Sequence, residues 1–307
     1  MLNRWRSFLR YAHPRHWLLW SGLGVLFLLV QLPYPVLVMF GGWLGRLSMR
    51  FLKRRVTITR RNLQLCFPDA DAQQIDARVT ANFSSLGIGL LETGMAWFWS
   101  DRRIKKWIEV VGLEHLHAAE DKQHGVIVIG VHFMTLELHF RILGHCKPMT
   151  VMYRPHNSRI MNLVEKWGRS RSGNALVSRK KLVGMVHTLK RGGVVWFAPD
   201  QDNGPKGSIF VPFFGVDRTA TTNGTFIIAK LARPELVSAV VIRKPNGQGY
   251  QLIISSGLKN FPYDDSLAAA NYINRVIEDE IMKAPDQYLW LHRRFKTRPA
   301  GEQSVYI

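Results

Sequence analysis

Acid is what this chain is short of: 22 Asp and Glu stand against 42 Lys and Arg in 307 residues, a formal charge of +20 at neutral pH. Such an imbalance argues against a cationic ligand and predicts attraction to something anionic, whether nucleic acid, a charged membrane or an acidic protein. Cysteine is nearly missing as well. Cys66 and Cys146 are too few for a disulfide framework and sit in no CxxC spacing, so both are read as reduced core residues. Several catalytic signatures are absent: no G-x-S-x-G elbow presents a serine, no HExxH binds zinc, and neither GxxxxGK[ST] nor GxGxxG cradles a nucleotide. Repeats, low-complexity tracts and Gly/Ser linkers are lacking too, which leaves a chain long enough to bury a sizeable core.

One stretch lacks charge altogether. Trp17 to Leu32, WLLWSGLGVLFLLVQL, follows the basic residues Arg4, Arg6, Arg10 and Arg15. As a helix it covers about 24 Å, short of a hydrocarbon core of about 30 Å, so a crossing needs help from PYPVLVMFGGW beyond Pro33, which either completes it after a kink or lies in the interface with Tyr34 and Trp43 as anchors. No small-residue cleavage site follows, which disfavours a signal peptide. The preferred reading is a retained membrane anchor over residues 1–45 with its basic side cytoplasmic; a buried core helix is the alternative. Next comes RLSMRFLKRRVTITRR, Arg46 to Arg61, with seven basic residues and no acid. It reads as one basic amphipathic helix on anionic lipid, or equally as a solvated charged face over a core stripe.

Beyond this, Asp71 to Phe98 has helical spacing, and LLETGMAWFW at Leu90 to Trp99 reads as core packing. Short apolar runs then alternate with helical stretches, which predicts an α/β sheet domain. Strands are expected at Gly125 to Val131, Met149 to Tyr153, Gly193 to Ala198, Leu236 to Ile242 and Tyr250 to Ile254. Polar residues close several of them: His132, then Arg154 and Asn157, then Asp200 and Asp202, then Arg243. Ligands of open α/β sheets sit at the carboxyl ends of strands, so these residues outline one candidate rim.

Within GVHFMTLELHF, His132 precedes Glu137 by five positions. On a single helix the two would point about 140° apart. They can meet if His132 ends a strand and a helix capped by Thr135 starts after it, so that Glu137 leans back toward the imidazole. A carboxylate there would hold Nδ1–H and leave Nε2 as a general base. A structural histidine beside a surface glutamate is the bland alternative, and a metal set with His139 matches no standard spacing.

GVHFMTLELHF, YRPHN, WGRSRSGN, WFAPDQDNGPKGS, ATTNGTF and APDQYLWLHRRFKTRP, together with the N-terminal HPRHWLLWSGLGVLFLLVQLPYP and ETGMAWFW, resemble the late acyltransferases of lipid A biosynthesis over nearly the whole chain. The lauroyl and palmitoleoyl members are the most similar. The resemblance implies a single acyltransferase domain over 46–307, built like a glycerolphosphate acyltransferase, with a mixed central sheet flanked by helices behind an N-terminal membrane helix. It implies acyl carrier protein as donor, the hydroxyl of a hydroxyacyl chain on an anionic Kdo-linked lipid A precursor as acceptor, no cofactor, and a place at the bacterial inner membrane. The family's H-x4-D/E dyad falls on His132 and Glu137, and Arg169 and Asp200 occupy further positions it needs. Arg154, Arg169, Arg171, Lys206 and the run His292 to Arg298 become candidate anion contacts, with Asn157 and Asp200 beside them as substrate-binding candidates. In the mechanism so implied His132 deprotonates the acceptor hydroxyl, Glu137 orients His132, and a backbone N–H near Phe133 or Arg169 receives the oxyanion. The rivals are a glycerol-phosphate acyltransferase of phospholipid synthesis and a basic membrane-anchored nucleic-acid binder, for which no nucleic-acid motif is present.

Overall fold

The computed structural model describes residues 13–178 and 182–306. Arg4, Arg6 and Arg10, expected to flank a membrane helix, lie outside the described residues.

Two apolar helices come first, α1 (Trp17–Leu29) and α2 (Tyr34–Ser48), separated at Pro33. Proline cannot supply the N–H that would continue a helix, so the uncharged region breaks into two short pieces. Among the described residues no helix is long and apolar enough to cross a membrane, so the expected N-terminal membrane helix is not supported as a spanning one. The stretch Arg46 to Arg61 is likewise not one helix. It turns at Arg50 to Leu52, and α3 (Lys53–Cys66) starts afresh.

The longest helix, α4 (Ala72–Phe98), has a complete capping box: the Asp71 side chain accepts from Gln74 N–H, and the Gln74 side chain accepts from Asp71 N–H. α2 crosses α4 at Gly41, Gly45 and Gly87, where a Cβ on Gly87 would run into the Gly41 and Gly45 backbone. Only glycine permits that approach, and it seats the apolar N-terminal helices against the body of the protein. Leu91, Met95, Trp97 and Trp99 are buried, as the core reading of this stretch expected. α5 (Asp101–Lys105) follows.

A seven-stranded mixed sheet forms the centre, in the order β1-β9-β8-β2-β5-β3-β4. Its strands are β1 (Ile108–Val111), β2 (Val126–Ile129), β3 (Thr150–Tyr153), β4 (Ala175–Ser178), β5 (Val194–Phe197), β8 (Glu235–Arg243) and β9 (Tyr250–Ile254). β2, β3, β4, β5 and β8 run parallel, while β9 turns back antiparallel to β8. β6 (Ser208–Phe213) and β7 (Val216–Thr222) form a separate hairpin. Helices α6 (Leu113–Glu120), α7 (Leu136–Cys146), α8 (Arg159–Ser170), α9 (Leu182–Lys190), α10 (Gly224–Ala232) and α11 (Ser266–Met282) complete the chain. β2 and β5 are buried along their whole length, which explains their unbroken Val, Ile, Trp and Phe sequences, since a parallel strand is covered on both faces.

β1, β4, β6 and β7 were not expected: β1 and β4 are the short edge strands, and Pro212 interrupts β6. β6 and β7 form a hairpin outside the main sheet, where exposed polar positions break the alternation in β7. Below the sheet a buried pair joins it to α4: Arg243 Nε and Nη2 donate to the two Glu92 oxygens at 2.6 and 2.9 Å, and Tyr250 O–H donates to the same carboxylate at 2.9 Å. Arg243 is thus locked into the interior and does not join the rim that its strand-end position suggested.

Candidate active site

Three adjacent parallel strands, β2, β5 and β3, end at the same edge of the sheet, and their carboxyl ends deliver His132, Asp200 and Arg154. With Trp196, Gln201, Asp202, Asn203, His292 and Lys296 they surround a cavity of about 430 Å³, though Asp200 itself lies just beneath its lining. The rim read from strand ends exists for these residues.

His132 leaves β2 by way of Gly130. A Cβ there would run into the indole of Trp196, so glycine lets that ring lie against the backbone and close one wall behind the histidine. The imidazole meets Trp196 edge-on, with centroids 6.2 Å apart. Its Nδ1 sits 2.6 Å from Asp200 Oδ1, while His132 N–H donates to Asp200 Oδ2 at 3.0 Å. One carboxylate therefore grips both the ring and the backbone of one residue. Asp200 is fully buried. Burial pushes its carboxyl up, but the charge and hydrogen bonds of His132 outweigh that and hold it below the usual range. Ionised Asp200 accepts from Nδ1–H, which leaves Nε2 with its lone pair, the tautomer a general base needs.

Glu137 does something else. Its carboxylate accepts from Arg169 Nε at 3.0 Å, Arg169 Nη2 at 2.5 Å and Trp97 Nε1–H at 3.1 Å. Arg169 also reaches Glu165 at 2.7 Å and lies over the Phe140 ring at 4.8 Å. Burial pulls the guanidinium down, yet Glu137 and then Glu165 raise it above its ordinary value, so it stays charged. Burial, and secondarily the Glu137 charge, push the Glu165 carboxyl up. The partner of His132 Nδ1 is thus Asp200 and not Glu137, a correction to the expected pairing. Nor does Thr135 cap α7: its hydroxyl donates to Val241 C=O in the interior. Trp196 and Phe140, in T-shaped contact at 4.8 Å, form the wall between the two charged groups.

The donors expected for an oxyanion are also committed elsewhere. Phe133 N–H donates to Val131 C=O at 2.8 Å, Met134 N–H to Gln287 C=O at 2.8 Å, and Arg169 is held by its two glutamates. Asn157 lies exposed on the loop after β3, outside the cavity lining. Arg171 stacks on Trp167 and donates to Trp97 C=O, and Lys206 lies on the surface. From the C-terminal run, His292 and Lys296 do reach the cavity. Asp202 fastens that run by accepting from Thr297 N–H at 2.7 Å and Thr297 O–H at 2.8 Å. Sequence reasoning missed Trp97, Trp196 and Glu165; only Glu165 left a signal, four positions before Arg169 on one helix face.

A histidine held by a buried carboxylate at strand ends, over a cavity with Arg154 and Lys296 in its lining, is the kind of arrangement from which acid–base chemistry is built. Residues 7–297 match the bacterial lipid A biosynthesis acyltransferases. The chain belongs to that family and is an acyltransferase of lipid A biosynthesis. It is 52% identical over 297 residues to the lipid A biosynthesis palmitoleoyltransferase of Escherichia coli K12, covering 97% of both chains. Identity to the lauroyltransferase of the same organism is 50% over 294 residues, 96% of each chain. To its myristoyltransferase it is 26% over 307 residues, 96% of this chain and 92% of that one.

Proposed function

We propose that the chain transfers an acyl group in the lauroyl to palmitoleoyl range from the thioester of acyl carrier protein to the hydroxyl of a hydroxyacyl chain on a Kdo-linked lipid A precursor. The observation that carries this reading is the His132–Asp200 pair, 2.6 Å apart at the wall of a cavity that Arg154 and Lys296 also line. His132 Nε2 takes the proton of the acceptor hydroxyl as its oxygen attacks the thioester carbonyl carbon, whose π electrons move to oxygen. The tetrahedral intermediate collapses, the C–S bond breaks, and the departing sulfur takes the proton from His132, leaving as the free thiol and restoring the base. The acceptor attacks directly, because neither cysteine lines the cavity: Cys66 is buried and its thiol is pushed far up by burial. Glu137 and Arg169 pair behind Phe140, outside the cavity lining, where they brace the wall that faces the acyl chain.

Residues 1–45 serve as the membrane-facing part and 46–307 carry the chemistry. Leu18 (87% exposed), Met39 (70%) and Phe51 (78%) are exposed on and just beyond α1 and α2, an apolar surface suited to lie in the interface at the cytoplasmic face of the inner membrane. Arg54, Arg60, Arg61 and Arg293 line a neighbouring groove, which suits anionic headgroups.

The test is to incubate purified enzyme with the tetra-acylated precursor, or with glycerol phosphate, and a panel of carrier-protein thioesters, and to read product masses. Acylated precursor is the expected product. Acyl glycerol phosphate, or no product from any thioester, would overturn the reading. In a vesicle-flotation arm, Leu18→Glu with Met39→Glu is expected to weaken membrane binding.

A further inference from the structure

Resting on the proposed reaction, the site needs a donor for the oxyanion, and the groups around His132 can be counted. The N–H groups of His132, Phe133 and Met134 are all engaged with Asp200, Val131 and Gln287. Trp196 Nε1–H has no partner among the described residues, but it is buried against Gly130 and faces away from solvent. Arg154 and Lys296 are exposed at the mouth, on long side chains that are not preorganised. One ring remains. His292 lines the same cavity as His132, and its Nε2 accepts from Asp202 N–H at 3.3 Å. That bond puts the proton on Nδ1, which has no protein partner among the described residues and is not among the sealed-off polar atoms. The ring is also rigidly mounted, since its own C=O accepts from Asn62 Nδ2 at 2.8 Å and its N–H donates to Leu289 C=O at 3.2 Å.

We propose that His292 is a second catalytic residue, a neutral imidazole whose Nδ1–H donates a hydrogen bond to the thioester carbonyl oxygen as negative charge develops on it. Its proton is shared and not transferred, so His132 alone moves protons and the balance of the reaction is unchanged. Neutrality is consistent with the surroundings: burial first, then Lys296, brings the imidazole down to about 4, with Asp200 opposing and Arg294 and His132 adding to the effect. A neutral donor suits a developing charge, because an imidazolium would bind the anionic acceptor and the transition state alike and raise the rate little.

Two substitutions separate the two ring nitrogens. His292→Asn keeps a donor where Nδ1 stands and gives up the Asp202 contact; His292→Gln offers an acceptor to Asp202 N–H and gives up the donor. With a carrier-protein thioester and the tetra-acylated precursor, removal of one oxyanion donor costs about 10²- to 10³-fold in kcat. The expected result is that loss for His292→Gln, with the acceptor KM unchanged and thermal stability near wild type, and a kcat for His292→Asn at least tenfold higher than that of His292→Gln. Wild-type kcat in His292→Gln overturns the proposal. So does the reverse order, Gln active and Asn inactive, which would mark the Asp202 contact as the ring's whole purpose. Inactivity of the wild-type enzyme on every thioester would instead refute the underlying reaction, so the two failures are distinguishable.

Discussion

Replacing Asp200 with Asn changes one atom and tests the central geometry. The carboxylate serves two donors, Nδ1–H at 2.6 Å and the backbone N–H of His132 at 3.0 Å. An amide can satisfy only one of them with its oxygen. If that oxygen keeps the backbone N–H, the NH₂ group faces Nδ1, which must become an acceptor, and the imidazole proton moves to Nε2. The base is then blocked by tautomer while the fold survives. In serine-protease triads the equivalent exchange costs about 10⁴-fold in kcat; here a loss of about 10³- to 10⁴-fold is expected, or about 4 to 5.5 kcal/mol at 1.36 kcal/mol per tenfold. The assay is steady-state acyl transfer from pH 6 to 9. Raising the pH is not expected to restore activity, because the defect is in proton placement and not proton number. The sign for stability is separate: Asp200 is held below its ordinary 3.8, so its ionised form stabilises the fold above that value and the contribution disappears as pH falls through the folded value. Wild type and variant should therefore converge in stability in strong acid. A variant within tenfold of wild type, or one rescued at high pH, would refute the reasoning.

Glu137→Gln is expected to destabilise the fold by about 1–3 kcal/mol, below the full cost of breaking a buried pair because Glu165 still partners Arg169. Chemical denaturation measures that, and acyl transfer should fall with it; unchanged stability and rate would remove Glu137 from the site. His139 is buried against Trp196 and Phe140, and burial brings it from 6.5 down to about 3. Below pH 6.5 the unfolded chain takes up a proton that the folded one refuses, so stability is lost as pH falls toward 3. His139→Phe should flatten that part of the pH–stability curve, and a curve parallel to wild type would contradict the assignment.

Local signals carried much of the architecture. The apolar runs marked β2, β3, β5, β8 and β9, and Asp71 with Gln74 marks the start of α4, because capping and periodicity act over a few residues. Where the reading failed, a neighbour had intervened. Thr135 stands where a cap would be, but a buried carbonyl of β8 competes for its hydroxyl. Arg243 stands at a strand end with the others, but Glu92 on α4 draws it under the sheet. The N-terminal apolar region is long enough to tempt a membrane crossing, yet Pro33 divides it and the glycines of α2 pack it onto α4.

His132, Glu137, Arg169 and Asp200 were each legible as residues, and the resemblance across the chain named the chemistry. Which of them touch was not. His132 and Glu137 are neighbours in sequence, and proximity suggested a pair. Asp200 lies 68 positions away and becomes the partner because β2 and β5 are adjacent and parallel, so that their ends stop side by side. The sequence by itself determined the long helix α4 and the main strands, the surplus of positive charge and the candidacy of His132 as a base. Only the tertiary structure decided what holds the base, since hydrogen bonds act over about 3 Å and sheet order alone brings such distant residues within that range.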